Sequence, residues 1–214
     1  MSIRFSSFRA RSAIAAVSVA SVTLLVAAPP AGAATTATDK KPTIDTYSDW
    51  DGGSILVPFG NPQTSNYGQT ITVPDGNKSL KWFEFYMEPS SGSGTMKVRG
   101  EVYGWDGTKA TTEVYESKAK KVTLDIADPT FQGVKIKTKG AKLTPGKQYV
   151  MFLTIDKDYD YAPGLQSAWP VHTTDDLPGG NTVWLNSDGD ESQWTTVPWS
   201  GIGTYDMAFK AMLG

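Results

Sequence analysis

The chain has 214 residues, with 20 Lys and Arg against 22 Asp and Glu, no cysteine and a single histidine, His172. This composition excludes thiol nucleophiles, Cys-ligated zinc, iron–sulfur clusters and any multi-histidine metal site within one chain. Residues 1–33 hold three basic residues and no acidic one, so the remainder carries five more acidic than basic residues, which argues against nucleic acid as a partner.

The first 33 residues predict an export signal, in the form of a short helix that precedes the folded domain. Arg4, Arg9 and Arg11 form a positive start, residues 13–28 are uncharged and mostly apolar, and residues 31–33 are small enough for a signal peptidase. The apolar run is shorter than the roughly 20 residues that span a bilayer, which favours a cleaved signal over the alternative, a retained membrane helix. We therefore expect cleavage after Ala33, a secreted product, and no membrane anchor after cleavage.

Residues 34–42 are expected to form a disordered leader, and residues 43–214 a single domain. In that domain, short apolar runs alternate with Gly, Pro, Asn and Asp, which is typical of strands and turns. About ten strands predict an all-β fold, a jelly-roll-like sandwich of two antiparallel sheets. The predicted strands are 54–59, 68–73, 79–87, 95–105, 112–117, 120–126, 132–138, 148–155, 181–186 and 203–212.

Two further patterns bear on the core and on the position of a site. Phe83, Phe85 and Met87 alternate with polar positions and are predicted to face the core, and Trp82, inside the same apolar strand, is assigned to the core as well. The stretch 156–181 shows little strand signal and is interpreted as a long loop, which is a common place for a functional site.

The order of segments resembles a family of uncharacterised bacterial exported proteins, some of which end in a Pro-Glu-Pro sorting tail. The resemblance covers roughly residues 55–212 and implies a β-sandwich, without an established activity or catalytic residues. Because no sorting tail precedes Gly214, we expect a product that is released or held only by non-covalent contacts. The matching stretches are 59–60, 67–74, 83–86, 102–107, 114–117, 143–150, 183–186 and 206–209, of which 105–107 and 143–150 are the most specific.

The seven tryptophans suggest a glycan-binding surface, because the faces of Trp and Tyr stack on the apolar faces of sugar rings. Trp105, Trp184, Trp194 and Trp199 are the candidate ligand-binding residues. If Val183 and Leu185 face the core, Trp184 points to the opposite face of its strand. The alternative is that these side chains only pack the core or a sheet edge.

Acidic clusters make structural calcium the one cofactor to consider. On an extended segment, the carboxylates of Asp156, Asp158 and Asp160 would share one side and form a candidate metal site. Solvent alone tolerates their mutual repulsion, so a solvated acidic loop is the alternative. A second run imitates the start of an EF-hand loop without its glycine or flanking helices, and comprises Asn186, Asp188, Asp190 and Glu191.

Residues for catalysis are harder to select. Glycoside hydrolysis needs two carboxyl groups across a cleft, and Glu84, Glu101 and Glu113 lie on or near strands. Periodicity places Glu84 and Glu101 on the polar, solvated side of their strands. His172 would need a nearby nucleophile to act as a general base, and nothing singles one out.

These observations favour a secreted, non-catalytic β-sandwich that binds a polysaccharide or another cell-envelope component through exposed aromatic side chains. The alternatives are a structural or adhesive exocellular protein without a small-molecule site and, third, a carbohydrate-active enzyme.

Overall fold

Two antiparallel β-sheets account for most of residues 41–214, which are the residues that the computed structural model describes. The expected signal peptide and residues 34–40 of the expected leader lie outside this range. Within it there are fourteen strands, a 3₁₀ helix at Asp156–Tyr161 and one short α-helix, α1, at Gln193–Thr196. No helix among these residues has the length and apolar character needed to cross a membrane.

The strands in chain order are β1 Ile44–Asp45, β2 Ile55–Phe59, β3 Asn66–Thr72, β4 Ser79–Ser91, β5 Gly94–Trp105, β6 Ala110–Glu116, β7 Lys120–Leu124, β8 Gln132–Lys142, β9 Gln148–Thr154, β10 Gln166–His172, β11 Asn181–Leu185, β12 Ser200–Gly201, β13 Asp206–Met207 and β14 Phe209–Leu213. Sheet I has the order β1-β14-β4-β10-β13, with β2 paired to β10 and β8 paired to β4. Sheet II has the order β12-β11-β3-β9-β5-β6, with β7 paired to β5. The fold is an all-β sandwich, and that prediction is confirmed.

The main core lies between the two sheets. Phe83, Phe85 and Met87 of β4 are fully buried, as their alternation predicts. Across the interface, the ring of Tyr67 on β3 meets the ring of Trp169 on β10 edge-to-face, with centroids 5.5 Å apart. Burial of such side chains contributes most of the favourable free energy of folding in a cysteine-free domain.

The assignment of Trp82 to the core is wrong. Its side chain is only half-buried, on the face of β4 opposite Phe83, and the ammonium of Lys135 lies 3.7 Å from its ring centroid. Its position in the alternation, not the apolar character of its neighbours, decided where it points.

A second apolar cluster covers the outer face of sheet II. Val150 and Phe152 of β9 belong to it, whereas Met151 and Leu153 of the same strand belong to the main core. The segment 186–199, which contains α1, crosses this face and contributes Trp194 and Trp199 to the cluster. Sheet II is therefore buried on both faces in this region.

The interpretation of 156–181 as one long loop is wrong in part, because it contains β10. This strand pairs with β4, β2 and β13 near the middle of sheet I, and residues 167–171 are all buried. A strand buried on both faces lacks the alternation that marks a half-exposed strand, and Pro170 weakens its signal further.

Candidate functional site

A cleft of about 270 Å³ opens on the outer face of sheet II, beside the second apolar cluster. The indole rings of Trp105 and Trp199 both line it, at right angles to each other and with centroids 6.0 Å apart. The other lining residues are Thr70, Asn181, Val183, Gly107, Gly201 and Gly203. An aromatic pair with a few polar groups is the kind of lining that ligand sites use.

Trp105 ends β5, and the turn that follows it is held by one carboxylate. Asp106 Oδ1 accepts hydrogen bonds from the backbone nitrogens of Lys109 and Thr108, both at 2.9 Å, and from the Thr108 hydroxyl at 2.8 Å. The Lys109 ammonium lies 3.1 Å from Asp106 Oδ2. These hydrogen bonds, with the Lys109 backbone nitrogen foremost, hold the pKa of Asp106 well below its ordinary value. The turn therefore fixes the end of the strand that presents Trp105.

The same turn also anchors Trp199. The backbone nitrogen of Trp199 donates to the Thr108 carbonyl at 2.8 Å, and its indole nitrogen donates to the Trp194 carbonyl at 2.9 Å. Trp199 is buried, whereas Trp105 is only partly buried. Trp199 thus closes one side of the cleft, and Trp105 offers the more exposed aromatic surface.

The polar part of the cleft comes from neighbouring strands β3 and β11. Asn181 pairs with Thr70 across the two strands, and the backbone nitrogen of Asn181 donates to the Thr70 hydroxyl at 2.8 Å. Asn181 is exposed at the rim, and its side-chain amide nitrogen donates to the backbone carbonyl oxygens of Gly203 and Gly180. Gly107 and Gly203 leave open space where a side chain would stand.

Trp194 does not line the cleft and instead packs in the second apolar cluster. It is 2% exposed and packs edge-to-face on Phe152, and its indole nitrogen donates to Asp156 Oδ2 at 2.6 Å. Asp156 is itself buried and also accepts hydrogen bonds from the Asn66 amide, the Ser187 hydroxyl and the Gly189 nitrogen. This carboxylate therefore fastens the segment 186–199 onto sheet II.

Trp184 does not join the other three tryptophans. Val183 and Leu185 belong to the second cluster, so Trp184 points to the opposite face and packs, partly buried, against the main core. Of the four tryptophans selected from the sequence, the structure thus brings Trp105 and Trp199 together in one cleft.

The candidate calcium ligands do not form a common site. The segment is a 3₁₀ helix and not an extended strand, which removes the premise that the three carboxylates share one side. Asp156 is the buried acceptor described above, Asp158 pairs with Lys97 and Arg99 at 3.3 Å each, and Asp160 is exposed. Across residues 41–214 no three His, Asp or Glu side chains are placed to hold a metal ion.

The residues that imitate an EF-hand loop have local partners of their own. Asp188 accepts a hydrogen bond from the Tyr159 hydroxyl at 2.8 Å, and Asp190 accepts one from the Ser192 hydroxyl at 2.6 Å. Glu191 forms an ion pair with Lys157 at 3.2 Å.

The solvated position expected for Glu101 is wrong, because its side chain is 1% exposed and Oε1 has no hydrogen-bond partner. Burial, reinforced by the charge of Glu116, raises the pKa of Glu101 to about 9. The distant segment 186–199 lies over this strand, since the ring of Trp194 meets the ring of Tyr103 with centroids 5.8 Å apart, and the strand pattern alone does not reveal this contact. Glu113, in contrast, is exposed on β6.

His172 lies in a separate cavity of about 620 Å³ next to sheet I. Its Nδ1 is 2.6 Å from Asp176 Oδ2 and its Nε2 is 2.8 Å from the Thr46 carbonyl oxygen. Both ring nitrogens are therefore occupied by structural partners, and neither faces a nucleophile.

Thr70, Asn181, Val183 and the three glycines are the lining residues that the sequence did not single out. Asn181 and Thr70 meet through strand register, which has no local signal. The one sequence feature that could have drawn attention is the pair of glycines shortly after Trp199, in the stretch Ser-Gly-Ile-Gly at 200–203.

Comparisons with known proteins show distant structural similarity. No protein-family model and no curated protein matches the chain. Among solved structures, it is similar to the cysteine protease and lectin-like domains of Cwp84, a surface layer associated protein of Clostridium difficile, at 11% identity and a TM-score of 0.40. The similarity covers 69% of this chain and 31% of the other.

Proposed function

We propose that residues 43–214 form a non-catalytic module that binds a glycan in the cleft between Trp105 and Trp199. The observation that carries this proposal is a partly exposed indole, held rigidly at a strand end, that lines a cleft together with polar groups of β3 and β11. A sugar ring offers an apolar face to an aromatic ring and hydroxyls to the rim, so it fits this mixture.

The lining supports binding rather than catalysis. None of the described residues that line the cleft is titratable, so none provides a general acid, a general base or a carboxylate nucleophile. The indole nitrogen of Trp105 also supports binding. Trp194 and Trp199 donate their indole hydrogens to protein acceptors, whereas no residue within 41–214 accepts one from Trp105, which leaves that donor for a ligand hydroxyl.

We also propose that this binding takes place outside the cytoplasm. The support is the export signal predicted from residues 1–33 and the resemblance of the chain to bacterial exported proteins. A cysteine-free sandwich with cores on both faces of sheet II needs no disulfide to remain folded in an oxidising compartment. The partner is then a polysaccharide or another glycan of a cell envelope.

Binding of glycans to the parent protein and to Trp105→Ala tests the proposal. A glycan array identifies ligands of the parent, and isothermal titration calorimetry then measures their affinity for both proteins. Truncation of a central aromatic contact costs about 2 kcal/mol of binding free energy, which is roughly a 30-fold loss of affinity. Trp105→Ala should remain folded, because the removed ring is partly exposed.

Trp82→Ala is the matched control, because it removes a half-buried indole from sheet I, on the other side of the molecule. The control should bind like the parent. Equal binding by Trp105→Ala and the parent would place the glycan elsewhere. The absence of any glycan ligand would favour the alternative, a structural exocellular protein whose tryptophans only pack.

A further inference from the structure

We propose that the cleft accepts one uncharged sugar unit and rejects acidic and basic sugars. This inference rests on the proposed function and names the ligand class of the same site. It is carried by three properties of the cleft, namely its lack of charge, its size and the glycine that forms part of its wall.

The first property is that no charged side chain among residues 41–214 lines the cleft. In the adjoining turn, Asp106 and Lys109 are paired with each other at 3.1 Å, so their charges largely cancel. The neighbouring stretches 180–185 and 199–203 contain no Asp, Glu, Lys or Arg. A uronate or a sulfate in the cleft would lose water without gaining a cationic partner, and an amino sugar cation would find no carboxylate.

The second property is the volume. Pockets that hold drug-sized ligands measure about 300 to 1,000 Å³, so a cleft of about 270 Å³ suits a single ring with its substituents. The perpendicular walls formed by Trp105 and Trp199 close it on two sides, unlike the long flat row of aromatics that would follow an extended polymer. Additional units of an oligosaccharide should therefore add few contacts.

The third property is the wall at Gly201, on β12. An added Cβ there would meet the Thr182 carbonyl oxygen at 3.6 Å and Val183 Cγ1 at 3.9 Å, which are ordinary contact distances. The backbone at Gly201 is not in the left-handed region, so a larger residue is tolerated without strain. A larger side chain at this position would instead occupy space that the ligand needs.

The experiment combines a ligand series with a blocking variant of the full chain. The ligands are methyl glycosides of neutral hexoses, their oligomers of two to six units, and matched oligouronates and amino-sugar oligomers. The variant is Gly201→Leu, and the control is Ser200→Leu, since Ser200 is the exposed neighbour whose side chain alternates to the other face of β12. Thermal melting shows that both variants are folded.

We expect a neutral hexoside to bind with a Kd on the order of 1 mM, as a small ligand in a shallow site should. Affinity should rise less than about threefold along the neutral series and change less than about twofold between low and high salt, because no charge lines the site. Gly201→Leu should lose binding at least about tenfold, and Ser200→Leu should keep it.

Failure of this inference can be distinguished from failure of the proposed function. If the parent binds oligouronates or longer oligomers at least tenfold better, and Trp105→Ala abolishes that binding, the glycan site stands and the single neutral unit is overturned. If Gly201→Leu binds like the parent while Trp105→Ala does not, the ligand occupies the ring of Trp105 outside the cleft, which also overturns it. If no glycan binds the parent, the proposed function itself fails.

Discussion

Replacement of Glu101 by glutamine should make the protein less sensitive to pH between 5 and 9. Glu101 is 1% exposed and one of its oxygens has no hydrogen-bond partner, so its charged form is strongly disfavoured in the folded state. Burial is the main cause that raises its pKa to about 9, and the negative charges of Glu116, Glu113 and Glu191 add to it against the opposing effect of Lys157.

The direction of the effect follows from proton counts. Above a pH of about 4.5, Glu101 loses its proton in the unfolded chain but keeps it in the folded chain until the pH approaches 9. Within this window the folded state binds more protons, so the free energy of unfolding falls as pH rises. The slope reaches about 1.4 kcal/mol per pH unit, which amounts to as much as about 3 kcal/mol between pH 5 and pH 7.

Urea unfolding followed by tryptophan fluorescence, at pH 5, 6 and 7, measures this for the parent and for Glu101→Gln. The difference between the two unfolding free energies should change by 2 to 3 kcal/mol across that range, in favour of the variant at higher pH (about 1.4 kcal/mol per unit). Asp75→Asn is the control, since Asp75 is an exposed carboxylate in the turn between β3 and β4 and its charge is not among those that act on Glu101. Parallel pH profiles for the parent and Glu101→Gln would mean that Glu101 is ionised in the folded protein, and the reasoning would be refuted.

Three further predictions concern the supports of the fold and of the cleft. Asp156→Asn should lower the unfolding free energy by about 3 kcal/mol or more, seen in thermal melts, because an amide cannot accept all four hydrogen bonds of the buried carboxylate. Gly68→Ala should lower the free energy of unfolding by about 1 to 3 kcal/mol, because a Cβ there would lie 2.6 Å from the Met151 carbonyl oxygen. Urea unfolding measures this difference. A neutral result would show that the strands can separate locally. The pKa of Asp106 is lowered in the folded state, so its stabilising contribution is present above a pH of about 4 and lost in acid. The melting temperatures of the parent and of Asp106→Asn should therefore differ at pH 6 and converge toward pH 2.

The fold was largely predictable because alternation along a strand is a local property. Phe83, Phe85 and Met87 face the core as their spacing predicts, and most strand positions follow from the same kind of pattern. The pattern fails where burial is imposed on both faces. This is why β10 was missed.

The candidate site was predictable only in part, since it depends on contacts between distant segments. Glu101 is buried on a strand that the segment 186–199 contacts through Trp194 and Tyr103, and the local sequence around Glu101 does not indicate this contact. Trp105 and Trp199 lie close together because the backbone of Trp199 bonds to the turn after Trp105. Local pattern drew attention to tryptophan as a residue type, whereas tertiary contacts decided which of the tryptophans line the cleft and which are buried.

The number of tryptophans is therefore a poor guide to binding in this protein. Trp194 is buried on Phe152 and bonded to Asp156, so its loss should cost about 3 to 5 kcal/mol, a large share of the 5 to 15 kcal/mol that holds a typical domain folded. Any loss of binding in Trp194→Ala would follow from a weakened fold. Trp105 is the position at which affinity and stability should separate, because its side chain is partly exposed and its ring lies against Trp199 on one side. A variant there that keeps its melting temperature and loses its glycan would assign the cleft to recognition rather than to packing.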